Sequence, residues 1–202
     1  MIMRRNIRGL GTCVFLKIFT IFTALISTHK MNASKTEWFP VVDDNGIEIS
    51  RATRDICHDG KSKLLHPVVH FHLFNDEGEL FLQKRSIKKD LLPGKWDTSV
   101  GGHIGPGEKV DDALKRETAE ELGLKIFDYR FNTKYIWESS REREFVYSFS
   151  GSSKETPLIN EDEIDEGRFW NLKEIMTNIG KGIFTPNFEY EFGLLLKNIQ
   201  QL

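Results

Sequence analysis

The chain has 202 residues, a formal net charge of −2 and two cysteines, Cys13 and Cys57. That length suits one domain with a real core, and two cysteines exclude a disulfide framework, zinc-finger spacing and a Cys-x-x-Cys redox pair. The basic residues are unevenly placed, so residues 31–202 carry 23 basic against 30 acidic side chains, a balance that argues against a nucleic-acid polymer as partner but permits phosphate substrates wherever divalent cations neutralise the site.

Residues 1–30 contain Arg4, Arg5, Arg8, Lys17 and Lys30 and no acid, with an apolar run after residue 10. The order is that of a secretory leader, yet Lys17 interrupts the run and the small-residue cleavage pattern is poor. A translational start at Met31, with an upstream extension before it, is the competing reading. Neither reading places the segment in the fold, so the domain is expected over 31–202, with its core at 66–200. A cytoplasmic location is expected, export being the alternative if the leader is genuine, and no membrane association is expected of the folded domain.

Strands are predicted at Trp38–Val42 and 47–52, around the turn sequence Asp43-Asp44-Asn45-Gly46. Residues 68–74 and 79–84 read as a hairpin about Asn75-Asp76-Glu77-Gly78, and Pro93-Gly94 breaks the chain before a strand at 96–100. Helical periodicity begins at Val110 and Gly123 stops it. Two strands follow at 131–137 and 144–149, then a short strand at 169–171 and helices at 172–177 and 187–199. The interleaving of strands and helices fits a mixed α/β sandwich.

The segment 101–124 carries the chemistry. A Gly- and Pro-rich loop runs into a helix whose N–H groups can receive an anion. Glu117, Glu120 and Glu121 then stand at i, i+3 and i+4, a like-charge spacing that costs a helix about 0.2–0.5 kcal/mol per pair and that a hard divalent cation would offset.

The spacing from Gly102 through Glu108, Arg116-Glu117, Glu120-Glu121 and Gly123-Leu124 resembles the Nudix box of the Nudix hydrolase superfamily. Thr118 alone departs, standing where the family has an aliphatic residue. The resemblance implies a Nudix α/β/α sandwich with a mixed β-sheet that binds Mg²⁺ or Mn²⁺ and cleaves a small-molecule diphosphate, as a possible homodimer. It implies Glu117, Glu120 and Glu121 as metal ligands, Arg116 as the group orienting Glu117, Glu108 as a brace for the loop, and Gly102 as the point of backbone approach. The general base is expected to be Glu117 in the box, or else Glu142 or Glu144 outside it.

Flanking segments, Leu65-His66-Pro67 through Asn75, Gln83 to Ser86, and Pro93 to His103, are similar to the Nudix subgroup that contains isopentenyl-diphosphate isomerase. From that likeness His58, His66, His103, Glu142 and Glu144 are candidate metal ligands, and Arg85 and Lys95 join Gly102 as expected substrate contacts. The isomerase has an essential cysteine where this chain has Gly101, and its box is degraded where this one is intact. Both differences point to hydrolysis, with isomerisation and non-catalytic ligand sensing as alternatives. His70 and His72 share a strand face, where hydrogen bonding is expected ahead of metal binding. Trp96, Trp137, Tyr135 and Phe145 are expected in packing ahead of base stacking.

Overall fold

The computed structural model describes residues 36–199; the leader-like segment and Met31 lie outside them. Alternation along β3 (Leu65–Phe74) sets the architecture. Val69, Phe71 and Leu73 face one side of the sheet and enter a core with Ala113, Leu114 and Leu122 of α2 (Val110–Leu122). His66, His70 and His72 therefore face the other side. That side is covered by α3 (Leu172–Asn178) and α4 (Pro186–Ile199), whose Ile175, Phe188 and Phe192 pack with Leu80, Leu82 and Trp170. Helices on both faces of a mixed sheet make the expected α/β/α sandwich.

The other strands are β1 (Trp38–Val42), β2 (Glu48–Thr53), β4 (Leu80–Arg85), β5 (Trp96–Asp97), β6 (Val100–His103), β7 (Asp128–Glu138), β8 (Arg143–Ser152) and β9 (Ile164–Trp170). The large sheet runs β5-β4-β3-β8-β7, with β6 also on β3 and β9 also on β4. Two registers build the site. Parallel pairing of β3 with β8 sets His66 opposite Glu144, and antiparallel pairing of β3 with β6 sets His70 opposite Gly101. The β1–β2 hairpin packs Val42 against Leu65 and Phe145 at one end of these strands. Among the described residues no helix is long and apolar enough to cross a membrane.

The structure departs from the expected elements in three places. The turn at 75–78 forms, but β3 and β4 pair only at Phe74 and Leu80, and β4 pairs with β9 along its length. A strand has two edges, and β6 and β8 occupy those of β3. The strand expected at 96–100 is two strands, because Thr98 and Ser99 turn their hydroxyls onto the Phe71 and Phe81 carbonyls. A single helical turn, α1 (Arg54–Cys57), follows β2 and buries Cys57.

Candidate active site

Helix α2 carries the acidic set. It stops at Gly123, whose φ of 66° lies in the left-handed region that glycine tolerates. Arg116 is the hub. Its guanidinium donates to Glu108 at 2.8 Å, to Glu117 at 2.6 Å, to Glu120 at 3.2 Å and to the His103 carbonyl at 2.9 Å. Glu108 also accepts the Gly105 N–H at 2.7 Å, which ties the loop to the helix. The Glu117 carboxylate lies directly against the Cα of Gly102, in space a side chain at 102 would fill.

The three glutamates do not share one environment, contrary to the expectation of a single carboxylate face. Glu120 is exposed, whereas Glu121 is buried and accepts from Gln83 Nε2 at 2.9 Å and from the Gly101 N–H at 3.3 Å. Like charges one turn apart repel, and here Arg116 bridges two of them while the third turns inward. Burial, with Glu117 and Glu163 nearby, raises the Glu121 pKa to about 8. Burial also raises that of Glu117, against the pull of Arg116.

Thr118, the departure from the box pattern, is fully buried and its hydroxyl has no partner among the described residues. A buried unsatisfied hydroxyl costs about 1–3 kcal/mol. Thr118→Val keeps the shape and removes that group, so it is expected to raise unfolding stability by about 1 kcal/mol; an unchanged or lower urea midpoint would contradict this.

A second cluster lies on the opposite face of the sheet, where His103 follows Gly102 along β6. Ligating atoms of His58, His66 and His103 lie within 4.8 Å of one another, as do those of His66, Glu142 and Glu144. Nε2 of His58 is 3.3 Å from Nε2 of His103 and 3.5 Å from Glu142. Phe39 of β1 stacks on His103 at 4.0 Å between ring centres. His66 Nδ1 is 3.0 Å from the Leu64 carbonyl, an acceptor, so it carries the proton and Nε2 keeps its lone pair. That Nε2 is buried with no partner, the situation of a histidine prepared to ligate a cation. Burial favours neutral imidazoles throughout: it lowers the His58 pKa to about 3, that of His66 as well, and that of His103 well below its ordinary value. Neutral nitrogen donors beside carboxylates suit Mn²⁺ or Zn²⁺, while the all-oxygen box suits Mg²⁺.

Behind this cluster runs a buried polar network that motif reading missed. Glu191 of α4 accepts from His70 Nδ1 at 2.7 Å, and its other oxygen lies 2.9 Å from His72 Nε2, close but off the hydrogen-bonding direction. Asn187, one turn earlier, donates to Glu144 at 3.0 Å and accepts from Tyr135 at 2.8 Å. The sequence held a signal for both residues: a Glu and an Asn share the helical stripe of Phe188, Phe192 and Leu195. His70, bound to Glu191, and His72, whose Nδ1 lies 3.2 Å from the Thr98 hydroxyl, are thus hydrogen-bonded core histidines.

Residues 64–188 match the NUDIX domain family. The chain belongs to the Nudix family. It is 30% identical over 174 residues to an isopentenyl-diphosphate Delta-isomerase of Streptomyces griseus, covering 82% of this chain and 88% of that one. An uncharacterised Nudix hydrolase of Pseudomonas aeruginosa is 35% identical over 97 residues, 48% of this chain and 57% of that one. In fold it is similar to a crystal structure from Deinococcus radiodurans with a TM-score of 0.64 at 24% identity, covering 74% of this chain and 92% of that one. Membership supports a hydrolase acting on pyrophosphate-containing substrates.

In this Nudix domain the expected substrate contacts diverge. Arg85 is ion-paired with Asp97 at 3.2 Å and donates to the Leu91 carbonyl. The Lys95 ammonium is bound to the Gly182 carbonyl in the loop before α4. The aromatic candidates pack: Trp96 against Trp170 edge to face, Trp137 on Tyr190, and Phe145 on Tyr147. Cys57, fully buried, has its thiol pKa raised to about 11 and is no nucleophile.

The buried charges impose a pH dependence. Burial, together with Glu142, raises Glu144 to about 8, matching Glu121. The folded domain thus binds more protons than the unfolded chain from about pH 4.3 to about 8, and stability falls as pH rises through that window. For His70, burial opposes the charge but Glu191 outweighs it and holds the pKa at about 9, so this contribution is full below about pH 6.5 and is lost through pH 9. The metal-cluster histidines act oppositely, but their gain is complete by about pH 6.5. With EDTA present, Tm is expected to fall steadily from pH 6.5 to 9.5, and less steeply in Glu121→Gln; a Tm that rises over this range would contradict these assignments.

Proposed function

We propose that this chain is a metal-dependent hydrolase that cleaves the diphosphate linkage of a small molecule of the nucleoside-diphosphate type. The observation that carries this reading is the intact acidic set around Gly102: Glu117 lies against the glycine backbone, Arg116 holds it, and an open cleft of about 500 Å³ lies over Glu117, Arg116 and His103. Glu117, Glu120 and Glu121 would hold Mg²⁺ or Mn²⁺. His66, His103 and Glu142, with His58, form a second donor set that the buried lone pair of His66 favours. Bound cations supply neutralisation of the phosphoryl oxygens and of the leaving phosphate.

In the hydrolysis a water oxygen bonds to phosphorus, the bridging P–O bond breaks, and one proton passes to a carboxylate. Glu144 is suited to receive it: burial gives it a proton affinity near the working pH, and Asn187 occupies one of its oxygens and leaves the other. Glu117 is suited to stay ionised, since its bond to Arg116 would be lost on protonation. Gly102 leaves the approach to Glu117 open.

A second reading, an isopentenyl-diphosphate isomerase-like activity, is favoured by the five-residue cluster of His58, His66, His103, Glu142 and Glu144. Gly101 opposes it, since it offers no acid on that strand. The deciding experiment is a panel of nucleoside diphosphates, nucleotide sugars, dinucleoside polyphosphates and prenyl diphosphates with Mg²⁺ or Mn²⁺. Release of phosphate or a monophosphate is expected. Isomerisation of isopentenyl diphosphate without phosphate release would replace the hydrolase reading, and tight binding without turnover would make the chain a sensor.

A further inference from the structure

We propose that Trp38 selects the organic part of the substrate, its exposed indole stacking on a nucleobase whose diphosphate lies on the box in the same cleft. The inference rests on the diphosphate-hydrolase reading and adds a specificity residue from outside the Nudix box.

The cleft over Glu117 and Arg116 has two walls. One is the box with its loop at 105–108, and the other is the start of β1 with the residue before it, Glu37. The walls meet at His103, whose ring stacks on Phe39 at 4.0 Å and whose carbonyl accepts from Arg116 at 2.9 Å. Their chemistry differs. The box wall is ionic, whereas the β1 wall offers one large apolar surface, since Phe39 is only 1% exposed and Trp38 is 51% exposed. At Gly107 on the loop a side-chain carbon would meet nothing within 4 Å, so the cleft is open there. Its volume of about 500 Å³ falls among those of sites that hold a whole small molecule.

Packing does not account for the exposed indole. The other three tryptophans are engaged: Trp96 lies edge-on to Trp170 at 5.0 Å, Arg168 lies over Trp170 at 3.5 Å, and Trp137 packs on Tyr190 at 5.7 Å. Trp38 has no aromatic or cationic partner over its ring among the described residues. The β1–β2 hairpin is anchored without it, by Phe39 and Val41 against Ala52 and Cys57 and by Val42 against Leu65 and Phe145. A rigid ring on a strand loses little freedom on binding, and its flat face suits any base. Glu37 favours a base over a prenyl chain. Its carboxylate, half-exposed and paired with Arg54 at 3.1 Å, lines the cleft beside the indole. A base presents N–H groups that a carboxylate accepts, whereas a hydrocarbon chain would desolvate that charge without satisfying it.

The test is calorimetric titration of the full chain with Mg²⁺, using α,β-methylene analogues of ADP, GDP, CDP and UDP, whose phosphorus bridge cannot be hydrolysed. Methylenediphosphonate carries the same bridge without a base. At least one nucleoside analogue is expected to bind about tenfold or more tightly than methylenediphosphonate, the scale of one base–aromatic stack. In Trp38→Ala that advantage is expected to vanish while the affinity for methylenediphosphonate holds. Trp38→Phe is expected to keep most of it, and Trp38→Leu, apolar but not planar, to behave as the alanine variant. Binding is expected to quench indole fluorescence in the wild type but not in Trp38→Phe, a response that a merely structural tryptophan would not give. A nucleoside advantage that survives Trp38→Ala, or wild-type affinity in Trp38→Leu, would refute this contact and leave the hydrolase reading standing. Tighter binding of dimethylallyl methylenediphosphonate than of every nucleoside analogue, lost in Trp38→Ala, would make the indole a prenyl contact and overturn the base assignment. No binding of any of these diphosphates would overturn both readings. Binding through Trp38 without release of product from any hydrolysable nucleoside diphosphate would refute the hydrolase reading and leave the contact standing.

Discussion

The Glu120→Gln/Glu121→Gln double variant is expected to lose about 10³-fold or more of its diphosphate hydrolysis, roughly 4 kcal/mol of transition-state stabilisation, without losing its fold. The dissociation of activity from stability follows from the surroundings of each residue. Glu120 is exposed and makes one long contact with Arg116, which keeps Glu108 and Glu117. Glu121 is buried with its pKa raised to about 8, so an uncharged isostere removes an unfavourable charge above that pH. Its Oε2 accepts from Gln83 and Gly101, bonds that an amide oxygen can still accept. The variant should therefore melt no lower than the wild type at pH 8.5 while its kcat collapses. Wild-type turnover in the double variant would remove these carboxylates from the metal site.

Gly102→Ala should be nearly as damaging for a different reason. The added methyl overlaps the Glu117 carboxylate, and something must shift. The side chain of Glu117 is the flexible partner, so the fold survives at modest cost and the carboxylate swings away, breaking its bond to Arg116. Misplacing a reacting group by about 1 Å can cost about 10²-fold in rate, and a loss of that size in kcat/KM is expected, with Tm lowered by only a few degrees. A crystal structure of the variant should show Glu117 displaced. Unimpaired turnover would mean that the position of Glu117 against Gly102 is irrelevant to the chemistry.

The box was legible because its information is local. Gly102, Glu108, Arg116 and the glutamates lie within one loop and one helix, so spacing along the chain is close to spacing on a helix face. The division of labour among the glutamates was not legible. Whether Glu121 is buried depends on Gln83 from β4 and on the Gly101 N–H, both set by strand pairing. The predicted hairpin of β3 with β4 formed only beside its turn for a related reason: local turn chemistry was right at 75–78, but β6 and β8 took the rest of the edges of β3.

Sequence by itself determined the acidic helix and the α/β alternation, which rest on spacing and periodicity within one segment, while the Nudix box and the candidate histidines rest on resemblance to the family. Only the tertiary structure decided which of those histidines converge. The parallel β3–β8 register brings His66 to Glu144, the antiparallel β3–β6 register brings His70 to Gly101, and the last helix delivers Asn187 and Glu191 from far along the chain. The strand contacts depend on register, and a shift of one residue along β3 would turn His66 and His70 to the opposite face.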